Sequence, residues 1–547
     1  MATLLLAAYQ ALCLNAPEFW ERLGAVRDAG GTPGSSALMV AAEAGLVLGV
    51  CLLLALLLAA LGRAVLLIGG VAMILLSAAA SYYMVRYDVV IGYGIVQAVM
   101  ASDQALSAEM VGRDLLLWVL LLGVLPAVAW WRLCFRRVVR PTSVSTRRVW
   151  SIRLAMSVSA LSLALASHAV VRHTAEQSAG GKPPVSASGL VAHRYVPTNW
   201  LSGMAMTGAN RATAAMRANQ LSDPAERFTY LERSPLDHVT VVLVIGETTR
   251  HDHLGLLGYN RDTTPRLRGE AGLVAFRAES CDTSTRLSLA CMFARPEGVV
   301  TGAGFEPDRI DEHKVFSVFR ELGFSIELFA MQSEVGFYQR VEPDFYKMRE
   351  VIVADASSSQ RQVFDGLLLP EVDSSLDRHP DGRHLIVLHK KGSHYLYSQR
   401  YPREFARWQP ECLDADDHCG RAELVNAYDN SVLYGDHVLA ELFDRLKGRK
   451  ALVVFTSDHG ESIGDGTHFH GTPRAIAPPE QRRVPLPFWG SPLLLSDPVH
   501  REAFERLRQR AQSGQLASHQ NLFASMLGCL SVESRDGGVT PAHNLCH

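Results

Sequence analysis

Between Ala37 and Met84 the chain carries only two charged residues, Glu43 and Arg63. A soluble helix of that length needs a polar face for water, and this stretch offers none. Ala37–Leu61 and Ala64–Met84 are each long enough to cross a bilayer, which takes about 20 apolar residues. Gly62 and Arg63 alone part them, so they read as a tight membrane hairpin. Leu115–Trp131, with Pro126 as a kink, and Leu154–Val171 read as two further spans. Ala2–Trp20 is weaker because it holds Asn15, Pro17 and Glu18. It lacks the basic start and the small-residue cleavage site of a signal peptide. It therefore reads as the first of five membrane helices. Helices buried in a soluble core are the alternative, and the near-pure apolar character of the second and third spans argues against it.

Arginine sets the orientation. The loop between the last two spans carries Arg132, Arg136, Arg137, Arg140, Arg147, Arg148 and Arg153. The positive-inside rule places this loop in the cytoplasm, so everything after about residue 175 lies outside. Cysteine usage argues the same way independently. Of nine cysteines, six fall after residue 280 as the close couples Cys281/Cys291, Cys412/Cys419 and Cys529/Cys546. Such couples suggest short disulfide loops in an oxidising compartment. A cysteine zinc site ranks below this, since no CxxC spacing exists. Cys13, Cys51 and Cys134 lie in or beside apolar segments and read as free thiols.

At 547 residues the chain is too long for one ordinary domain. A net charge of −2 excludes a general polyanion-binding role, so no nucleic-acid partner is expected. Residues 1–172 read as the membrane domain and 173–237 as a bridging linker. That bridge has a turn-rich start at Gly180–Pro184 and an alanine-rich short helix at Asn210–Asn219. Its Tyr195–Trp200 segment has the residues that collect at a membrane interface. Residues 238–547 read as a catalytic domain. There, Val239–Ile245, Ser325–Phe329, His384–Leu388 and Ala451–Thr456 read as strands. Asp311–Leu322, ended by Gly323, and Arg421–Leu446 read as amphipathic helices. The alternation predicts an α/β/α architecture around a mainly parallel sheet.

Chemistry-bearing residues gather at the ends of two of these strands. One buried run stops at Gly246 with Glu247 next; another stops at Ser457 with Asp458 and His459 next. Ligands collect at the carboxyl ends of parallel strands. A third stretch, 278–293, has Cys281 and Cys291 bracketing Thr283, Ser284 and Thr285. Asp282 and Thr283 are N-cap types, so a helix is expected to begin beside Thr285. Glu, Asp, His and a threonine oxygen suit zinc best, with manganese also compatible. A metal-bound hydroxyl is a nucleophile, and phosphoryl transfer then needs cationic or donor groups nearby. Arg250, Lys391, His394 and His470 are the candidates to contact substrate. Spacing alone does not choose among Thr283, Ser284 and Thr285. The bland readings are a stapled capped helix, a core histidine at His389 and solvated lysines at Lys390 and Lys391.

Together these motifs resemble a known family. Gly-Glu-Thr-Thr-Arg at 246–250, Tyr-Asn-Arg-Asp-Thr-Thr-Pro at 259–265, Cys-x3-Thr at 281–285 with Cys-Met-Phe at 291–293, and Ser-Asp-His-Gly-Glu-Ser at 457–462 are similar to the phosphoethanolamine transferases. These are inner-membrane enzymes of Gram-negative bacteria with an alkaline-phosphatase-like periplasmic domain. The resemblance implies Thr285 as nucleophile and Glu247, Thr285, Asp458 and His459 as ligands of one tight zinc. Manganese, calcium or a second metal stay open. It implies His394 and His470 at the substrate phosphate or a second metal, and a disulfide between Cys281 and Cys291. It implies a phosphatidylethanolamine donor, a lipopolysaccharide acceptor and a monomer.

Other segments resemble the branch of the family that acts on Kdo2-lipid A. These are 89–95, 195–202, 330–334, 391–394 with 399–402, 468–473 leading to 477–481, and the Cys529 and Cys546-His547 ending. Tyr395-Leu396 and Met331-Gln332-Ser333 stand where relatives that modify lipid A phosphate have Gly-Pro and Asp-Asn-Asn. Gln97-Ala98 stands where they tend to have Gln-Asn, and one of their disulfide couples has no counterpart. The implied acceptor is therefore a Kdo sugar, with lipid A phosphate as the alternative. A phosphoglycerol transferase fits the same metal set. A sulfatase does not, because Cys291–Arg295 has Phe293 where the modified-cysteine motif needs proline. An inactive membrane-anchored binding or sensor protein would lack a ligand or nucleophile, and none is missing.

Overall fold

The structure is a computed structural model. It describes all residues except 29, 102–109, 140–145, 179–185, 218–219, 303–304, 357–362, 415–417 and 466. The turn-rich start at 180–184 and the centre of the arginine loop lie outside the described residues. The chain forms two compact units. One comprises Met1–Gln97, Met110–Asn210 and Ala303–Glu306, the other Ala98–Glu109, Arg211–Gly302 and Pro307–His547.

In the first unit, four described helices are long and apolar enough to cross a membrane: Pro33–Leu61, Arg63–Tyr87, Arg113–Phe135 and Arg147–Glu176. The expected fifth, Ala2–Trp20, differs. Its apolar helix covers only Ala2–Cys13, and a new helix runs Ala16–Asp28. The break falls at Asn15, whose side chain pairs with the backbone of Val196. Its amide donates to Val196 O at 2.8 Å and its carbonyl accepts from Val196 N at 2.9 Å. The Tyr195–Trp200 segment is correspondingly packed inside this unit. Tyr195, Val196 and Asn199 are fully buried, Tyr195 donates to Glu43, and Trp200 donates to Ser77 at 3.1 Å. Glu43, one of the few charges in the apolar stretch, is also paired with Arg22 at 3.2 Å. A buried carboxylate needs such partners.

The second unit is built on an eight-stranded sheet. Its strands are β1 (Val239–Gly246), β2 (Leu273–Glu279), β3 (Ser325–Ala330), β4 (Phe345–Met348), β5 (His384–His389), β6 (Lys450–Ser457), β7 (Arg483–Gly490) and β8 (Ala517–Ser518). They lie in the order β8-β2-β7-β6-β1-β5-β3-β4. The sheet is mixed. The pairs β8–β2, β6–β1, β1–β5, β5–β3 and β3–β4 are parallel, while β7 runs antiparallel to both β2 and β6. The central strands are buried on both faces, so they read as continuous apolar runs. Val241, Leu243 and Ile245 of β1 join one core with Phe293, Phe316 and Phe319. Val242 and Val244 join the other, with Val438, Leu442 and Phe443 of the helix Arg421–Leu446. Each such side chain contributes about 1.5–3 kcal/mol on burial.

The helix expected over Asp311–Leu322 is shorter, Val315–Glu321. Lys314 is held extended as its N-cap and donates to Ala290 O, so the turn before it cannot join the helix. Disulfides join Cys281–Cys291, Cys412–Cys419 and Cys529–Cys546, and Cys13, Cys51 and Cys134 take no part in a disulfide.

Candidate active site

The register of the sheet brings the motifs together. β1 and β6 pair in parallel as far as Gly246 opposite Ser457, so Glu247 and Asp458 leave the sheet side by side. β5 flanks β1 and ends at His389, and the loop beyond it lies against Glu247. Gly392 sits there with φ +58°, and a Cβ on it would lie 2.6 Å from the Glu247 carbonyl oxygen. Only glycine fits both the backbone twist and the gap. Ser393 N–H donates to that carbonyl at 3.0 Å.

A helix begins at Thr285, with Ser284 as its N-cap. Asp282 and Thr283, the expected caps, are used otherwise. Asp282 accepts from its neighbour's N–H at 2.7 Å, and Thr283 donates to Thr472 O. Ser284 makes no hydrogen bond through its hydroxyl. Thr285 is the hydroxyl that meets the carboxylates. It donates to Glu247 Oε2 at 3.2 Å and lies 3.2 Å from His459 Nε2.

Each carboxylate here has one oxygen pinned and one left over. Asp458 Oδ1 accepts from His459 N–H at 2.8 Å and Thr248 N–H at 3.3 Å. Asp458 Oδ2 and Glu247 Oε1 are buried without a hydrogen bond. They lie 3.2 and 3.5 Å from His459 Nε2. His459 Nδ1 lies 2.8 Å from Gly460 O. A carbonyl only accepts, so Nδ1 carries the proton and Nε2 presents a lone pair. Two carboxylate oxygens and an imidazole nitrogen thus face one another with no hydrogen-bond donor between them. Such an arrangement suits a cation.

The electrostatics agree. Burial holds Glu247 well above the usual carboxylate range, helped by Asp458 and Glu461 and opposed by Lys391 and Thr285. Burial pushes Asp458 up to about 6, against hydrogen bonds from Thr285 and from backbone N–H groups. Burial keeps His459 well below its ordinary value, hence neutral.

His470 and His394 complete the rim. The rings of His459 and His470 are 4.3 Å apart, and those of His394 and His470 are 5.8 Å apart. Glu247, His459 and His470 can each offer a ligand atom within 4.8 Å of the others. His470 Nδ1 sits 2.7 Å from Glu461 Oε2. Burial alone would lower this histidine, but the Glu461 charge and hydrogen bond outweigh it and the net shift is upward. His394 is half-buried, makes no hydrogen bond through Nδ1 and is held well below its ordinary value by desolvation and by Lys391 and Arg400. Lys391 is buried beside Glu247.

Arg250 stands apart from this group. Its guanidinium is taken by Asp252 and Asp465, each at 2.7 Å, and by Glu461 O at 3.1 Å. Two residues had no role in the sequence reading. Glu461 holds His470, and its place inside the Asp-His-Gly-Glu run was the available signal. Gln332 donates to Glu247 Oε2 at 2.9 Å, and nothing about a glutamine beyond a strand end announces such a contact.

A family model described as Sulfatase matches residues 239–532, and one described as Phosphoethanolamine transferase EptA/EptB matches residues 46–177. The chain is 41% identical over 546 residues to the Kdo(2)-lipid A phosphoethanolamine 7''-transferase of Escherichia coli (strain K12), covering 99% of this chain and 96% of that one. The chain belongs to the phosphoethanolamine transferase family. Another member, phosphoethanolamine transferase EptA of Salmonella typhimurium, is 26% identical over 84% of this chain and 82% of its own. Among solved structures, the integral membrane lipooligosaccharide phosphoethanolamine transferase A of Neisseria meningitidis superposes with a TM-score of 0.82 at 25% identity, covering 100% of this chain and 97% of that one. Family membership makes this chain a sulfatase-like transferase with membrane helices.

Proposed function

We propose that the chain transfers phosphoethanolamine from phosphatidylethanolamine to a Kdo sugar of lipopolysaccharide. The reading rests on Thr285 Oγ1 standing 3.2 Å from both Glu247 Oε2 and His459 Nε2 beside two unbonded carboxylate oxygens. Glu247, Asp458, His459 and Thr285 would hold zinc, and the donor set fits it. When bound, the ion lowers the pKa of the hydroxyl and offsets charge on the phosphoryl oxygens. Thr285 Oγ1 attacks the donor phosphorus, its proton is lost to a nearby base, and diacylglycerol leaves. The resulting phosphothreonine is then attacked by a Kdo hydroxyl, which restores Thr285. Lys391 supplies positive charge near the phosphoryl group, Glu461 favours the protonated form of His470 beside it, and neutral His394 can accept or donate one proton. Arg250 braces the loop of Glu461 and Asp465 rather than touching substrate.

The 41% identity to a relative named for Kdo(2)-lipid A, against 26% to the EptA relative, favours Kdo over lipid A phosphate. The arginine-rich loop supports a cytoplasmic side for that loop and hence a periplasmic catalytic unit, with the helices in the inner membrane as the family suggests. Ala2–Cys13 then joins the four long helices as a short fifth, and residues 173–237 bridge to the catalytic domain at 238–547. Mass spectrometry of lipopolysaccharide from cells expressing the chain or Thr285→Ala tests the reading. Phosphoethanolamine should appear on Kdo with the native chain only. Its presence on lipid A phosphate would move the acceptor, and its persistence with Thr285→Ala would remove the nucleophile.

A further inference from the structure

Glu247 Oε2 has two side-chain donors, and they come from different elements of the fold. Thr285 O–H reaches it at 3.2 Å and Gln332 Nε2 at 2.9 Å. Gln332 lies just beyond β3, two strands away from β1, and is 7% exposed. Its backbone is fixed, because Met331 N–H donates to His389 O at 2.8 Å and extends the pairing of β3 with β5. A carboxylate turns easily about its last torsion. Held only by Thr285, at the start of a helix, the carboxylate would have a single side-chain donor. The amide of Gln332 adds a second, anchored at the tip of β3.

We propose that Gln332 is a positioning residue that fixes the Glu247 carboxylate, with Oε2 tied down and Oε1 turned toward His459 Nε2. The proposal rests on the zinc reading above. A neutral donor is the type required. A lysine there would offset the charge of Glu247 that attracts the cation, and a second carboxylate would repel it. Partners behind a metal ligand typically change affinity by about 10–100-fold.

The test is zinc competition with a chromophoric chelator, using the full-length protein in detergent. Native chain, Gln332→Met and Gln332→Asn are compared, together with the visible spectrum of each cobalt-loaded form. Gln332→Met keeps the volume and removes the donor. It should bind zinc about 10–100-fold more weakly and shift the cobalt bands, while the melting temperature of the metal-free protein stays near native. Gln332→Asn keeps a donor one methylene short and should recover part of the affinity. Equal zinc affinity and an unchanged cobalt spectrum in Gln332→Met would overturn the proposal. So would failure of both variants to fold, which would assign Gln332 to the framework instead. If the native chain takes no zinc, the metal-centre reading falls first and this inference with it.

Discussion

Among the described residues, a second glutamate–histidine cluster lies at the opposite end of the same sheet. Glu327, His379 and His384 can also bring ligand atoms within 4.8 Å of one another, near the amino ends of β3 and β5. There every atom is occupied. Glu327 Oε1 accepts from Arg378 Nε at 3.0 Å and lies 3.1 Å from His379 Nε2. Glu327 Oε2 accepts from Ser375 at 2.6 Å and from Arg378 Nη2 at 2.5 Å. His384 contacts Ser325 through one nitrogen and Ser375 through the other. Hydrogen bonds to Arg378, Ser375 and His379 outweigh burial and hold Glu327 below the usual carboxylate range. Burial drives Glu247 and Asp458 the other way. Ligand-type residues in proximity therefore do not define a metal centre. Lone pairs left without a partner do, because an unpaired buried acceptor is costly unless a cation meets it.

The largest effect that bears on this contrast is on catalysis. Thr285→Ala should cut transfer on the order of 10⁴–10⁶-fold, as loss of a nucleophile does elsewhere, while retaining most zinc. Transfer assays with a fluorescent phosphatidylethanolamine would measure it. A loss under about tenfold would detach the hydroxyl from the chemistry. Next, Asp458→Asn should weaken zinc binding roughly 10²–10³-fold, about a quarter of what a four-ligand site supplies. Glu327→Gln should leave zinc content unchanged. Elemental analysis of both purified variants decides it, and zinc lost from Glu327→Gln alone would invert the comparison.

Glu327→Ala should act on stability instead. It strands Arg378 and His379, at roughly 2–3 kcal/mol, less than a fully buried pair costs because Arg378 is partly exposed. Thermal unfolding in detergent would show it as a lower melting temperature with activity retained in the folded fraction. The smallest effect is one of pH. Asp458 moves from an ordinary 3.8 to about 6. The folded chain then binds that proton more tightly than the unfolded one, so metal-free stability falls as pH rises between those values. Zinc displaces the proton, so its affinity should climb with pH through this range, and the raised Glu247 extends the climb beyond it. Calorimetric titration would trace this, and a flat profile would mean that Asp458 does not meet the ion.

The two clusters also mark what a sequence reader can see. Glu247, Asp458 and His459 were legible because each follows an apolar run that could only be a buried strand, and strand tips are where ligands gather. Spacing alone did not choose Thr285 over Thr283 and Ser284, though the family resemblance implied it, because the choice depends on Thr283 reaching Thr472, 189 positions away. β7 was missed for a related reason. Pro485 and Pro487 argue against a strand. Both precede Phe488, where pairing with β6 begins, so their missing N–H groups interrupt no bond to that strand. The break at Asn15 was invisible because its partner is the backbone of Val196.

Gly392 has a consequence beyond its own conformation. The peptide that carries His394 lies on the backbone of Glu247 with no room for a methyl group between them, and Lys390 N–H is bonded to Ile245 O at 2.9 Å. Histidine and glutamate are therefore coupled like two teeth on one gear. A ligand that pulls His394 toward itself must also drag the glutamate, so under the proposed roles the grip on the incoming molecule and the grip on the cation would change together.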